Sequence, residues 1–402
     1  MDAAADSASD GSPAGGVVTM TVQRDDAPDV GVPVVFLASD GTAIATVMTD
    51  GSGVATAAMP QGGSVTVIQT MPDVISTYIG VAPTDALTLT DYRGAEPTQT
   101  VNVTSPTEMG ANGYTYNFAC GGPFNAAQVT LPHDCGASDD VLVRATNGTD
   151  YIGAFVAFDV PIANQAMSIA GTYMPMTSQT FAVTNAGATT SVTFSAWVAG
   201  SHGVMNYRNG AIPISAGSGS GSTTEGFVAD GVNQAVMISA QIPTATGMFT
   251  QTVTSIAPSS ASSTVDLGSL YLPSMTSPPS YDIAGHAVSW QSAGGAQMPD
   301  MTLATLLMTR DTHVWQWNIA APYTAGELRL PTLPVLGFDY NPQAADSIAI
   351  ELGQAHVPGG YAAARPNILS TIDDPTVGGT LFPFHIDTTT PSQSVTSLWL
   401  NH

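Results

Sequence analysis

The residues best suited to covalent chemistry are Cys120 and Cys135, the only two cysteines of the chain. They end the segment CGGPFNAAQVTLPHDC, whose Gly-Gly-Pro turn allows the chain to fold back on itself. A disulfide closing a loop of this length contributes about 3 kcal/mol and persists only in an oxidising compartment. Together with His133 the two cysteines could instead bind a metal, but zinc sites usually have close cysteine pairs and four ligands. The sequence favours a disulfide that staples a hairpin.

Two groups of acidic residues in predicted loops have the oxygen ligands that calcium prefers. They are Asp25, Asp26 and Asp29 in one loop, and Asp139 and Asp140 in another. Calcium needs six to eight oxygen ligands, and no EF-hand pattern is present. Aspartates in turns also bond the backbone two residues on. A calcium ion is therefore possible, the turn interpretation is favoured for each pair, and no other cofactor is expected.

Trp315 and Trp317 are candidates for a sugar-binding platform. They alternate in the strand-like run HVWQWNIAAP, so both side chains lie on one face. Large aromatic side chains are mostly buried, and the core of a β-sandwich is the favoured interpretation.

The known motifs of hydrolases and nucleotide-binding enzymes are absent from the sequence. It contains no G-x-S-x-G elbow, no H-E-x-x-H helix and no phosphate-binding loop. His385 and Asp387 in PFHID would share one face of a strand, as a base and its orienting acid do. Such pairs also arise by chance, so no catalytic residue is predicted.

The charge of the chain excludes several kinds of partner. There are 7 basic residues, all of them Arg, against 31 acidic ones, which gives a net charge of -24. Binding to nucleic acid or to an anionic membrane surface requires clustered cations. We therefore expect no nucleic-acid partner, and contact with a membrane only through an N-terminal lipid anchor.

The pattern of apolar residues predicts strands throughout the chain. Val18, Met20 and Val22 alternate with polar residues, which is the period of a half-buried strand. Short runs rich in Val, Thr and Ile recur between turns such as Ser-Asp-Gly and Pro-Gln-Gly-Gly. The predicted fold class is all-β, with tandem antiparallel β-sandwich domains of the immunoglobulin-like or fibronectin-III-like kind and very little helix.

Changes in composition divide the chain into five segments. They are a flexible tether over 1–16, β-sandwiches over 17–98, 99–188 and 189–275, and a last β-sandwich over 276–402. The second sandwich contains both cysteines, and the tether is rich in Ala, Asp, Ser and Gly.

Residues 17–69 carry a recognisable order of strands and turns. The run VPVVFLASDGTAIATVMTDGSGVATAAMPQGGSVTVI, with its TDGSG and PQGG turns, resembles carboxypeptidase-regulatory-like and bacterial Ig-like repeats. The resemblance implies a small sandwich of extracellular habit that serves as an accessory module and does no catalysis. The sequence departs from these repeats by continuing to the strand 86–90.

The last segment has a looser resemblance to a fibronectin-III-type sandwich. His286, Val288 and Trp290 in GHAVSWQ, the aromatic strand HVWQWNIAAP and the closing run ELRLPTLP form its pattern. It implies a fold and no specific activity.

The N-terminal tether MDAAADSASDGSPAGG resembles the spacer behind the lipid-bearing cysteine of bacterial lipoproteins, as in high-GC, myxobacteria-like organisms. Met1 would then stand where that cysteine was. The resemblance implies an extracellular or outer-membrane surface location with a lipid anchor. We predict a non-catalytic binding, adhesion or structural protein whose partner is an extracellular protein or glycan. The alternative is a secreted hydrolase, acting on glycans, esters or peptides, with a site between domains.

Overall fold

The computed structural model describes most of the chain. The described residues are 15–25, 27–70, 73–91, 98–132, 135–187, 191–200, 202, 204–215, 218–227, 233–244, 247–258, 260–371 and 392–399. The greater part of the predicted tether, the possible ligands Asp26 and His133, and the pair His385 and Asp387 lie outside them.

Strands dominate these residues, which confirms the predicted all-β class. In the first part of the chain they are β1 Gly16–Arg24, β2 Ala27–Pro28, β3 Pro33–Leu37, β4 Ala43–Met48, β5 Val54–Met59, β6 Gly63–Gln69, β7 Asp73–Val81 and β8 Ala86–Asp91. In the second they are β9 Thr98–Thr104, β10 Gly113–Phe118, β11 Gly121–Phe124, β12 Gln128–Pro132, β13 Ser138–Thr146, β14 Tyr151–Pro161, β15 Ala166–Ser168 and β16 Thr177–Thr184.

The rest of the chain continues in the same way, with little helix. The strands are β17 Ser191–Ala199, β18 Val204–Ala211, β19 Gly221–Phe227, β20 Asn233–Thr244, β21 Gly247–Pro258, β22 Ser262–Asp266, β23 Ser274–Met275, β24 Ser280–Asp282, β25 Ala287–Ser289, β26 Ser292–Ala293, β27 Met301–Arg310, β28 His313–Pro322, β29 Glu327–Arg329, β30 Ser347–His356 and β31 Ser392–Trp399. The helices are α1 Leu267–Leu270, α2 Gly360–Ala364 and a 3-10 turn Arg365–Thr371. Within the described ranges no helix is long and apolar enough to cross a membrane.

The first sandwich has the layers that alternation predicts. Strands β2, β1, β5 and β8 form one sheet, and the facing layer is β7, β6, β3 and β4, which are one end of a larger sheet. Val18, Met20 and Val22 are fully buried and pack in one core with Phe36 and Val65 of the facing sheet. The alternation of apolar and polar residues in β1 therefore predicted the buried face of this strand correctly.

The second sandwich is tied together by the disulfide. The sheet β11-β10-β13-β14 packs on the sheet β12-β9-β15. Cys120 follows β10 and is bonded to Cys135, which follows β12. The disulfide is confirmed, but the expectation that it staples one hairpin is wrong, because it joins the two layers.

The strand pairing crosses the expected segment boundaries at several places, among them the pairs β21 with β31 and β23 with β26. Strand β16, near the end of range 99–188, pairs with β19 and β22 of the next range. Strand β28 pairs in parallel with β7, so that Trp317 lies opposite Ile75. The four-way division of the sandwiches stays a prediction. The pairing adds that one twelve-stranded sheet, β18-β17-β20-β21-β31-β30-β27-β28-β7-β6-β3-β4, connects strands of the first, third and fourth ranges.

Candidate ligand-binding site

A cavity of about 280 Å³ opens where strands of the second and third ranges meet. Strand β18 packs against β10 and β13 at this place. The main lining residues are Arg144, Tyr151, Met176, Tyr207, Arg208 and Glu225. The cavity thus contains two of the seven cations of a strongly acidic chain.

Arg144 is held in place by neutral groups. It lies on β13 and is only 7% exposed. Its Nη1 donates to the carbonyl oxygen of Tyr207 at 2.5 Å, and its Nη2 donates to Oδ1 of Asn117 at 2.9 Å. The guanidinium carbon lies 4.4 Å from the centre of the Tyr151 ring, a cation–π contact. Its orientation is therefore fixed before any ligand binds.

The positive charge of Arg144 has no carboxylate beside it in the described part of the chain. The other charged pair of the cavity is complete, because Arg208 Nη2 lies 2.7 Å from Oε2 of Glu225. Burial lowers the pKa of Arg144, the charge of Arg208 lowers it further, and Tyr151 opposes both effects. An uncompensated buried cation is costly, so this position favours an anion brought in from outside.

The alternative to the disulfide, a metal site at the two cysteines, is wrong. Both sulfur atoms are consumed by the disulfide, and a thiolate is the form that ligates metals. Asp139 Oδ2 lies 2.8 Å from Sγ of Cys120, and burial raises the pKa of Asp139 to about 6. The neighbouring Asp140 accepts backbone N–H groups from Asp159 and His202. These two backbone groups lie 19 and 62 positions away in the sequence, and both aspartates are buried in strand β13. The loop placement and the local turn interpretation are therefore wrong for this pair, whereas calcium at Asp139 and Asp140 stays a prediction.

The other acidic group is spread around a turn. Asp29 forms an ion pair with Arg24 at 2.9 Å and accepts a hydrogen bond from Gln69 at 3.4 Å. Asp25 has a left-handed backbone, with φ of 49°. Calcium binding at Asp25 and Asp29, with Asp26, also stays a prediction.

The two tryptophans belong to the core. Trp315 is 1% exposed and Trp317 is 0% exposed, and Trp317 Nε1 donates to Oγ1 of Thr77 at 2.8 Å. The favoured core interpretation is confirmed. The sugar-platform interpretation is wrong for both residues, because neither ring has a free face.

The sequence analysis did not find the cavity, although strand β13 contains an unusual feature, an arginine within a run of apolar residues. Val141, Leu142, Val143 and Ala145 are all buried, so Arg144 is a cation inside a strand that is covered on both faces. Such a position is rare for an unpaired charge. The partners Asn117 and Tyr207 lie far away in the sequence and could not be read from it.

Comparisons with known proteins show no family for the chain. No protein-family model matches it, and no curated protein matches it. Among solved structures, the Bacillus anthracis TIE protein is similar at 12% identity over 57% of this chain, with a TM-score of 0.17. The chain spans 46% of the length of that protein.

Two pilins give similar values. A Streptococcal ancillary pilin is 8% identical, with 62% of this chain and 98% of the pilin covered and a TM-score of 0.16. The shaft pilin spaA from Lactobacillus rhamnosus GG is 12% identical, with 63% of this chain and 96% of the pilin covered and a TM-score of 0.13. At these TM-scores the similarities support no statement about function.

Proposed function

We propose that the protein is a non-catalytic binding protein, exposed on a cell surface or secreted, and that its ligand occupies the cavity at Arg144. One observation carries the proposal. Arg144 is 7% exposed, and its guanidinium is preoriented by Tyr207, Asn117 and Tyr151, yet it lacks a carboxylate partner within the described ranges. A ligand anion would supply the missing charge.

The disulfide supports the proposed location. Structural disulfides persist in secreted proteins, in the periplasm and on cell surfaces, and this one joins the two layers of the second sandwich. We propose in addition that residues 1–16 are a spacer behind a lipid anchor, as in bacterial lipoproteins. Alkylation of the native protein without reductant tests whether the two cysteines are bonded, as an oxidising compartment requires. The proposal expects no labelled thiol, whereas two labelled thiols would contradict an oxidising location.

A ligand panel tests the binding function. We would measure the thermal midpoint of the full chain with acidic and neutral sugars, short peptides and inorganic anions. At least one carboxylate-bearing compound is expected to raise it, because a ligand that binds only the folded state stabilises that state. The same compounds should leave an Arg144→Met variant unchanged.

The alternative is a secreted hydrolase, and it predicts a different result. Ester, peptide and glycoside substrates should be turned over by wild-type protein, and the activity should depend on residues of the same cavity. Our proposal expects no turnover. If no compound of the panel shifts the midpoint, the proposed binding site is wrong.

A further inference from the structure

The lining of the cavity also restricts the chemical class of the ligand. We propose that the cavity binds an acidic sugar of the uronate type, whose carboxylate pairs with Arg144. This inference rests on the binding function proposed above. It follows from the donors of Arg144, from the sign of the neighbouring charges and from the size and polarity of the lining.

The donors of Arg144 suit a carboxylate. A guanidinium has five N–H groups in a planar fork, and the protein accepts one from Nη1 and one from Nη2. Arginine binds carboxylates through two parallel hydrogen bonds. Because Tyr151 stacks on the guanidinium, little side-chain freedom is lost when a ligand arrives.

The neighbouring carboxylates favour a singly charged ligand. Glu225 and Asp150 both line the cavity. A phosphate monoester carries more negative charge than a carboxylate at pH 7 and would bring it close to these two groups, and like charges repel. A carboxylate carries a single charge and can be directed at Arg144 alone.

The size and polarity of the cavity favour a ligand whose uncharged part carries hydroxyl groups. Its volume, about 280 Å³, lies just below the usual range for drug-sized ligands, which leaves room for one sugar ring. Thr149, Asp150 and Glu225 offer oxygen acceptors for sugar hydroxyls, and Met176 offers an apolar contact.

A zwitterion such as an amino acid suits the lining less well. Its ammonium group would need an unpaired carboxylate shielded from water. Glu225 is neutralised by Arg208 at 2.7 Å, and Asp150 is exposed in the turn before β14. Neutral hydroxyls need no such charge.

Calorimetric titration of the full chain tests the inference. The ligands are glucuronate and galacturonate, their neutral parents glucose and galactose, and glycine as a zwitterion. We expect the uronates to bind at least about tenfold more tightly than the neutral sugars, since a hydrogen bond to a charged group contributes about 1.5–3 kcal/mol. Binding of the uronates should also weaken as salt is added.

Three variants assign the binding to the cavity. Arg144→Met should lower the uronate affinity about tenfold or more. Glu225→Gln should raise it, because the change removes a negative charge and frees Arg208. A variant with damaged folding would bind less, so an increase cannot arise from misfolding. Arg329→Gln, an equal loss of charge at an exposed position of strand β29, is the matched control and should bind as wild type does.

The outcomes separate this inference from the proposed function. Equal binding of uronates and neutral sugars, tighter binding of glycine, or a weaker complex with Glu225→Gln would each overturn the uronate inference and leave a binding protein. Absence of binding by every ligand, both here and in the wider panel, would overturn both.

Discussion

Two buried arginines of this protein have nearly the same surroundings but differ in the side-chain group that accepts a hydrogen bond from Nη2. Arg365 is 6% exposed and Arg144 is 7% exposed. Each donates to one backbone carbonyl oxygen, at Gly80 and Tyr207 respectively. Each guanidinium lies over a tyrosine ring, and each Nε lacks an acceptor among the described residues. The difference between the two sites lies in the remaining side-chain partner.

That partner is a carboxylate in one site and an amide in the other. Arg365 Nη2 lies 2.6 Å from Oδ2 and 2.8 Å from Oδ1 of Asp85, whereas Arg144 Nη2 donates to the amide oxygen of Asn117. The Arg365 site is complete within the chain and fixes the 3-10 turn on the first sandwich. The Arg144 site lacks that negative charge, and Arg144 lines a cavity.

The largest expected effect comes from making the complete site resemble the incomplete one. Asp85→Asn leaves Arg365 buried beside an amide, and we expect a loss of about 3 kcal/mol in the free energy of unfolding. Urea unfolding at pH 7 measures it. A loss below about 1 kcal/mol would show that the pairing of Arg365 contributes little, and the contrast with Arg144 would lose its basis.

A carboxylate whose pKa is raised by burial should respond in the opposite direction when its charge is removed. Burial raises the pKa of Asp139 from 3.8 to about 6. Between these values the folded protein binds more protons at this group than the unfolded chain, so its contribution to stability falls as the pH rises from about 4 to about 6 and stays constant above.

Replacing this carboxylate by its neutral isostere tests that sign. We expect Asp139→Asn to stabilise the protein at pH 7 by about 2 kcal/mol, and by little at pH 4. Unfolding of wild type and variant at both pH values gives the result. An equal effect at pH 4 and pH 7 would show that charge is not the cause.

A smaller gain is expected when the missing charge is supplied from within the chain. In Asn117→Asp the carboxylate would take the place of the amide oxygen that lies 2.9 Å from Arg144 Nη2. We expect about 1 kcal/mol of added stability, because the attraction is partly offset by desolvation of the new carboxylate. Thermal unfolding without ligand checks it, and a clear destabilisation would mean that Arg144 is already compensated.

The smallest effect belongs to an ion pair at the surface. Arg329 and Glu327 are paired, with side chains 78% and 46% exposed. Water screens such a pair, so Arg329→Gln should change the thermal midpoint by no more than the error of measurement. A loss comparable with that of Asp85→Asn would mean that burial does not distinguish these sites.

Local features of the fold could be predicted from the sequence, and long-range ones could not. The alternation of Val18, Met20 and Val22 predicts the buried face of β1, and the two cysteines predict the disulfide. The Gly-Gly-Pro segment between the cysteines is part of strand β11 and forms no turn. The parallel pairing of β28 with β7 joins segments more than two hundred residues apart, as does the bond of Trp317 to Thr77. No local pattern specifies such a register.

The candidate site shows the same limit. The predicted site residues were those with distinctive chemistry, and of these Trp315 and Trp317 are core residues while the cysteines are bonded to each other. Arg144 is conspicuous only by its place in a strand buried on both faces. Its importance depends on Asn117 and Tyr207, which only the packing of the second and third ranges brings to it.

The most direct test of the central claim is the uronate affinity of Asn117→Asp beside that of wild type. If Arg144 is left without a carboxylate so that it can pair with a ligand, the new carboxylate at position 117 will pair with it instead. The affinity for galacturonate should then fall about tenfold or more, while the variant stays folded and at least as stable as wild type. A folded variant that binds galacturonate as tightly as wild type would contradict the claim that Arg144 pairs with the ligand.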